Sequence, residues 1–279
     1  MTDNVGAPVD AAVAAAGLRK VYGDGGTAVV ALNGVDVTFQ RGRFTAIMGP
    51  SGSGKSLLYC LAGLEEVTGG RVVIGGAELA AMSDDQLTRL RRDRVGFVFQ
   101  AYNLVPTLNA LENITLPLDL AGRAPDRELL DAVIGAVGLR ERLRHRPTQL
   151  SGGQQQRVAC ARALVARPEI VFADEPTGNL DSRAGSEVLA LLRGAVDDIG
   201  QTVAMVTHDP ASLWLWGPIA ALAGVFPVQA TPHAVVHGGH LGSNAGRTAS
   251  MHSHELNRSS MVERGAVPTV DTGCSAMVR

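Results

Sequence analysis

Lysine is almost absent from this 279-residue chain. Of its 25 basic side chains only Lys20 and Lys55 carry an ammonium group and the rest are arginine, so each lysine raises the question of what arginine could not do there. Cysteine is scarce as well: Cys60, Cys160 and Cys274 are odd in number and share no Cys-x-x-Cys spacing. That excludes a disulfide framework and a zinc site built on paired cysteines, and points to a reducing compartment, the cytoplasm by default. No excess of charge of one sign is present, since 25 basic residues face 27 acidic ones for a net charge of −2. A nucleic-acid binder with a broad basic face is thereby disfavoured, and Arg89, Arg91, Arg92 and Arg94 form one short run that reads as a solvated face. A long hydrophobic run is also missing. The apolar segment Leu213 to Val228 holds both tryptophans, Trp214 and Trp216, but it falls short of the roughly 20 residues a spanning helix needs and is interrupted by Pro218 and Pro227. Residues 1–16 lack a basic leader region and read as a flexible lead-in rather than a signal peptide.

What is present is enough apolar material, 46% of residues, to bury a sizeable core. Short runs rich in Val, Phe and Thr at Ala28–Leu32, Val35–Phe39 and Phe44–Met48 predict strands, and Val72–Ile74 before Gly75-Gly76 predicts a strand and turn. Between about residues 101 and 160 the pattern becomes helical: Leu129, Leu130, Val133 and Val137 share one face of a helix that Asp126 can cap. Ile170–Ala173 and Val203–Val206 then read as buried strands around a helix with Val188, Leu189, Leu192 and Val196 on its apolar face. This alternation predicts an α/β fold with a mainly parallel sheet, an N-terminal antiparallel patch and a helical insert. From Ala211 onward seven formal charges occupy 69 positions and no helix or strand period is evident, although five of the seven histidines lie there. His233, His237 and His240 read as part of a non-specific tail.

Three constellations carry chemistry. Gly49-Pro50-Ser51-Gly52-Ser53-Gly54-Lys55-Ser56 matches the phosphate-binding loop pattern, and it follows a predicted strand and precedes a predicted helix as that loop must. Its glycines let backbone N–H groups face phosphate oxygens at a helix N-terminus. Lys55 then reaches the β- and γ-phosphates and the Ser56 hydroxyl serves Mg²⁺. Asp174 and Glu175 end the buried strand at Ile170–Ala173, where a P-loop protein needs a metal ligand and a general base for water. Ser151-Gly152-Gly153 opens a helix and offers a second anion site.

With Leu150-Ser151-Gly152-Gly153-Gln154 the chain resembles the ATP-binding subunits of ABC transporters, whose signature is LSGGQ. The resemblance covers Tyr22 to Asp209, and the wording around Ile47–Pro50, Phe97–Gln100, Gln154–Arg157 and Asp174–Asp181 is similar to the macrolide-export and lipoprotein-release subfamily. It implies the P-loop ABC ATPase fold over residues 17–210. It further implies that Tyr22 stacks on adenine, that Gln100 lies in the Q-loop, joins the catalytic and Mg²⁺-holding groups and senses the membrane partner, that Asp181 lies in the D-loop, and that His208 is the switch histidine. Two copies would bind ATP and Mg²⁺ head to tail, each P-loop facing the other copy's Ser151, Gly152 and Gly153. The pair would drive a membrane permease from the cytoplasmic face of the membrane. Two features depart from the family pattern: Leu57 stands where a second hydroxyl residue is usual, leaving only its N–H for the nucleotide, and residues 211–279 lack the expected closing strands. These departures motivate an alternative, a nucleotide-binding regulatory subunit with impaired hydrolysis. An ABC protein of translation or DNA repair fits less well, because neither a second cassette nor a long coiled-coil insert is present.

Overall fold

The computed structural model describes residues 10–48, 53–208 and 221–223. Gly49, Pro50, Ser51 and Gly52 of the phosphate loop lie outside the described residues, as do Trp214, Trp216, His233, His237, His240 and Cys274.

Two sheets frame the described residues. The antiparallel one runs β2-β1-β4-β5, with β1 at Ala11–Tyr22, β2 at Val29–Gln40, β4 at Gly69–Ile74 and β5 at Ala77–Glu78. The sequence reading places Ala11–Ala16, a short alanine-rich run, in the flexible lead-in. The structure corrects this. Val13 sits opposite both Phe39 and Ile74 and is fully buried, so pairing on two sides overrides local propensity. The two runs predicted at Ala28–Leu32 and Val35–Phe39 are likewise one strand. β1 gains a residue between Ala15 and Leu18, and β2 gains one between Val35 and Asn33, so the two bulges offset each other. Gly17 (φ 59°) and Gly34 (φ 74°) supply the left-handed backbone at these bulges, and the Gly17 N–H donates to Asp36 Oδ1 at 2.6 Å.

The second sheet is parallel, in the order β6-β7-β8-β3-β9: β6 is Val95–Val98, β7 Ile170–Asp174, β8 Val203–Val206, β3 Phe44–Met48 and β9 Ala221–Ala223. Every residue of β7 and β8 is buried, as expected for strands covered on both faces. β9 lies in the segment read from sequence as patternless; Ala221 pairs with Ala46 and Ala223 with Met48, so the sheet continues past β3. Three residues are too short for a period-2 signal to stand out.

Six helices complete the described residues: α1 Ser53–Leu61, α2 Asp84–Arg94, α3 Ala110–Leu120, α4 Arg127–Val137, α5 Gly152–Leu164 and α6 Ser182–Ile199. α4 begins as predicted, with Asp126 accepting from Glu128 N and Leu129 N, and ends on left-handed Gly138. α2 accounts for the arginine run: Arg91 donates to Gly63 O at 2.6 Å and Arg94 to Gly75 O at 2.9 Å, so two of the four arginines tie down loops. α1 lies between the sheets. Its Leu57, Leu58 and Leu61 share one core with Val13, Leu18 and Phe39 of the antiparallel sheet and Ile47, Phe172 and Val206 of the parallel one. Each such buried side chain contributes about 1.5–3 kcal/mol, which fixes the helix that carries Lys55. A second core packs α3, α4, α5 and α6 against the opposite side, with Val171, Ala173, Val203 and Met205. Cys60 and Cys160 are free and buried, and burial pushes their thiols up to about 11 and about 12, so neither is a nucleophile at neutral pH.

Candidate active site

Strand register brings the site together. Asp174 is level with Val206, Ile47 with Val206 and Val98 with Ala173, so β3, β6, β7 and β8 all finish at one edge of the parallel sheet. Open α/β sheets bind ligands outside this carboxyl edge. Lys55, Gln100, the Asp174-Glu175 pair and His208 follow those strand ends.

Lys55 is the hub. Its Nζ lies 3.1 Å from Asp174 Oδ1 and 3.2 Å from Glu175 Oε1, and donates to Asp174 Oδ2 at 3.3 Å and to Gln100 Oε1 at 3.4 Å. Partial burial works to lower its pKa, but the hydrogen bonds and charges of Asp174 and Glu175 outweigh that and hold it above the ordinary lysine value. The side chain is a compact charge facing several oxygens, a task that suits an ammonium better than a planar guanidinium fork. Gly54, just before it, sits against β8; a Cβ there would lie 2.9 Å from Val206 Cγ1, so only glycine lets α1 begin so close to the sheet.

Glu175 departs from strand geometry. Its φ is 44°, a left-handed conformation costly for a residue with a Cβ, and it is held by its own N–H to Val206 O at 3.0 Å and by Gly178 N–H to its carbonyl at 3.0 Å. The turn aims its carboxylate back at Lys55, and His208 Nε2 reaches the same Oε1 at 2.9 Å. Asp174, by contrast, is almost wholly buried.

The remaining predicted residues fall around this centre. Gln100 and Asn179 exchange hydrogen bonds, Nε2 to Oδ1 at 3.3 Å and Asn179 Nδ2 to Gln100 O at 3.1 Å, linking Gln100 to the Asn179-Leu180-Asp181 turn. Asp181 caps α6, accepting from Ala184 N at 2.9 Å. Ser151 caps α5 in a reciprocal box with Gln154, its hydroxyl accepting from Gln154 N at 3.3 Å, and remains exposed. Gly152 and Gly153 open that helix. A Cβ on Gly153 would lie 2.8 Å from Ala184 Cβ, so the glycine lets α5 touch α6. Tyr22 is part-exposed, and its hydroxyl bonds Glu65 and, at 3.1 Å, Ser56 Oγ. Lys20 explains itself here: its ammonium lies 4.9 Å from the Tyr22 ring centroid and donates to Glu66 O at 2.7 Å. Leu57 follows Ser56 on α1. Its side chain is fully buried in the core beneath α1, so only its N–H is left for a nucleotide.

Three residues given no role by the sequence reading join the site or its supports. Tyr59 donates to Asp174 Oδ2 at 2.8 Å; its place four residues after Lys55, on the same helix face, was a readable signal. Gln156 is fully buried and donates to Phe99 O at 3.3 Å and Pro176 O at 2.7 Å, joining α5 to the residues beside Gln100 and Glu175. Arg162, also on α5, donates to Asn103 O at 2.6 Å and Tyr102 O at 3.0 Å, gripping the left-handed pair that follows Gln100. Nothing in a run of three glutamines tells which one turns inward.

Residues 32–178 match the sequence profile of the family described as ABC transporter. The lipoprotein-releasing system ATP-binding protein LolD of Anaeromyxobacter dehalogenans is 52% identical over 198 residues, covering 70% of this chain and 83% of that protein. The macrolide export ATP-binding/permease protein MacB of Marinobacter nauticus is 47% identical over 196 residues, covering 69% of this chain, which spans only 30% of that protein's length. Among solved structures, the dimeric post-hydrolysis state of the ATP-binding cassette MJ0796 with ADP and Pi has a TM-score of 0.67 and 39% identity, covering 75% of this chain and 93% of its own. Phosphate-loop, acidic strand-end and signature motifs in that order along the chain, with Lys55, Gln100, Asp174, Glu175 and His208 gathered at one sheet edge, agree with these likenesses: the chain belongs to the ABC transporter family, as one of its nucleotide-binding ATPase cassettes.

Proposed function

We propose that two copies of this chain close head to tail on two ATP molecules, hydrolyse them, and by closing and reopening power a membrane permease from the cytoplasmic face of the membrane. One observation carries the reading: Lys55 is held between Asp174 and Glu175 while His208 grips Glu175, a constellation with a phosphate ligand, a metal ligand and a poised base. When the triphosphate enters, Lys55 exchanges its carboxylate partners for the β- and γ-phosphates. Its ammonium is charged before the exchange, its pKa held above the ordinary lysine value by Asp174 and Glu175 against the effect of partial burial, and it meets charged phosphate oxygens after it. Glu175, fixed in its turn and oriented by His208, takes a proton from water as the water oxygen bonds the γ-phosphorus. The bond from that phosphorus to the β–γ bridging oxygen breaks, leaving ADP and phosphate. Tyr22, backed by Lys20, presents a ring to the adenine. Gly49, Pro50, Ser51, Gly52, Ser53 and Gly54, with the N–H groups of Lys55, Ser56 and Leu57, cradle the phosphates, while Ser151, Gly152, Gly153 and Asp181 face the nucleotide held by the other copy.

The residues present fit Mg²⁺. Asp174 Oδ1 is buried yet accepts no hydrogen bond, and it faces the Lys55 ammonium at 3.1 Å, so a cation is already accommodated beside it. Ser56, Gln100 and Asp174 would hold the ion through hard oxygen atoms, the ligands it prefers. Bound there, it would neutralise charge on the β- and γ-phosphate oxygens.

Hydrolysis is favoured over mere nucleotide grip because the strained backbone at Glu175 and the His208 contact fix the direction of the carboxylate, as a general base requires. The dimeric state of the MJ0796 cassette supports the pairing, and the lipoprotein-releasing LolD and macrolide-export MacB relatives support the transport context. Analytical ultracentrifugation of Glu175→Gln tests the arrangement: ATP should convert monomer to a stable dimer, and Ser151→Arg should abolish it. A variant that stays monomeric at millimolar ATP would refute head-to-tail closure.

A further inference from the structure

Tyr59 belongs to none of the sequence motifs, yet its hydroxyl donates to Asp174 Oδ2 at 2.8 Å. The ring is braced from β6: Phe97 lies 5.8 Å away between centroids at a 47° tilt, and Phe97 stacks in turn on Phe99 at 4.2 Å. This places a hydroxyl donor on a rigid aromatic arm, issued from the same helix face as Lys55 and aimed at one oxygen of a buried carboxylate.

The two carboxylate oxygens are treated unequally. Oδ2 accepts from Tyr59 and from Lys55, whereas Oδ1 accepts no hydrogen bond and has only the Lys55 ammonium in front of it. Once Lys55 turns to the phosphates, Tyr59 is the one remaining side-chain donor that the described residues provide to Asp174. Resting on the proposed role of Asp174 toward Mg²⁺, we infer that Tyr59 is a positioning residue: its hydroxyl pins Asp174 by Oδ2 so that Oδ1 is presented to the divalent cation. A carboxylate without that pin is free to rotate when Lys55 leaves. Residues that orient a metal ligand from behind are worth about 10- to 100-fold in metal affinity.

The test is Tyr59→Phe in the full chain, which keeps the ring against Phe97 and removes only the hydroxyl. Binding of a fluorescent ATP analogue is titrated with Mg²⁺, and again in EDTA, with manganese binding in the presence of ATP followed by electron paramagnetic resonance. The half-saturating Mg²⁺ concentration should rise about 10-fold or more, manganese binding should weaken in parallel, and nucleotide affinity in EDTA should stay within about twofold of the parent. An unchanged half-saturation overturns the inference. So does a lowered one, which would make the hydroxyl a competitor of the metal, and so does an equal loss of affinity in EDTA, which would make Tyr59 a general support. Asp174→Asn measured alongside separates the two levels: if it too leaves the Mg²⁺ titration unmoved, the metal role of Asp174 itself falls, whereas a shift for Asp174→Asn alone overturns only the role of Tyr59.

Discussion

Leu57→Thr restores the hydroxyl that sequence comparison expects beside Ser56, and from sequence alone the change should tighten ATP binding several-fold. The structure predicts a different outcome. Leu57 is fully buried in the core shared by both sheets, so its side chain does not face the phosphates. Truncating a buried leucine to alanine costs about 2–5 kcal/mol. Threonine restores a methyl group but buries a hydroxyl worth about 1–3 kcal/mol when unpaired, part of which a back-bond to the preceding helical turn recovers. The net expectation is a loss of about 2–5 kcal/mol for Leu57→Thr, close to that for Leu57→Ala. In a domain of this size each kcal/mol lowers the melting temperature by about 2–4 °C. Urea unfolding followed by circular dichroism reads the loss as a lower midpoint at unchanged slope, and a fluorescent nucleotide titration below the transition reads affinity. The reasoning is refuted if Leu57→Thr unfolds within about 1 kcal/mol of the parent while its dissociation constant for ATP falls several-fold, because that places the side chain in the nucleotide site.

Other perturbations probe the same frame. Lys55 has a raised pKa in the folded state, so its stabilising pairing with Asp174 and Glu175 is fully present below the ordinary value of 10.5 and is lost as pH climbs through the higher folded value. Nucleotide-free protein should therefore lose urea resistance between neutral pH and strongly alkaline pH more steeply than Lys55→Met, and parallel profiles for the two would contradict the ion-pair account. Gly153→Ala puts a methyl group 2.8 Å from Ala184 Cβ, forcing the start of α5 off α6. Thermal melting should show a loss of about 1–3 kcal/mol, and ATP-driven dimerisation should weaken with it; a variant neutral in both assays would mean that the helices separate freely.

Sequence legibility followed the range over which each signal acts. The phosphate loop, the acidic end of β7 and the cap of α5 are local patterns whose chemistry and position are set within a few residues, and Lys55, Asp174, Glu175 and Ser151 lie where those patterns place them. The buried strands β7 and β8 were readable because parallel strands covered on both faces are apolar throughout. β1 was missed over its whole length, Ala11–Tyr22, because its strand character comes from partners far along the chain. The burial of Leu57 was not legible for a related reason: a motif position names a backbone place, whereas packing of α1 between two sheets decides where its side chain goes. Gln156 and the Gln100–Asn179 pair required the folded backbone, since their partners lie 20 to 79 residues away.

The central claim is that Glu175, set in its strained turn against Lys55 and His208, is the base for ATP hydrolysis by this chain. Steady-state phosphate release with ATP and Mg²⁺ addresses it directly, comparing the parent with Glu175→Gln, an isosteric change that keeps a polar group beside Lys55. The account predicts sustained release by the parent and a loss of about 100-fold or more in the variant, with ATP binding retained. Equal turnover by the two proteins would contradict it.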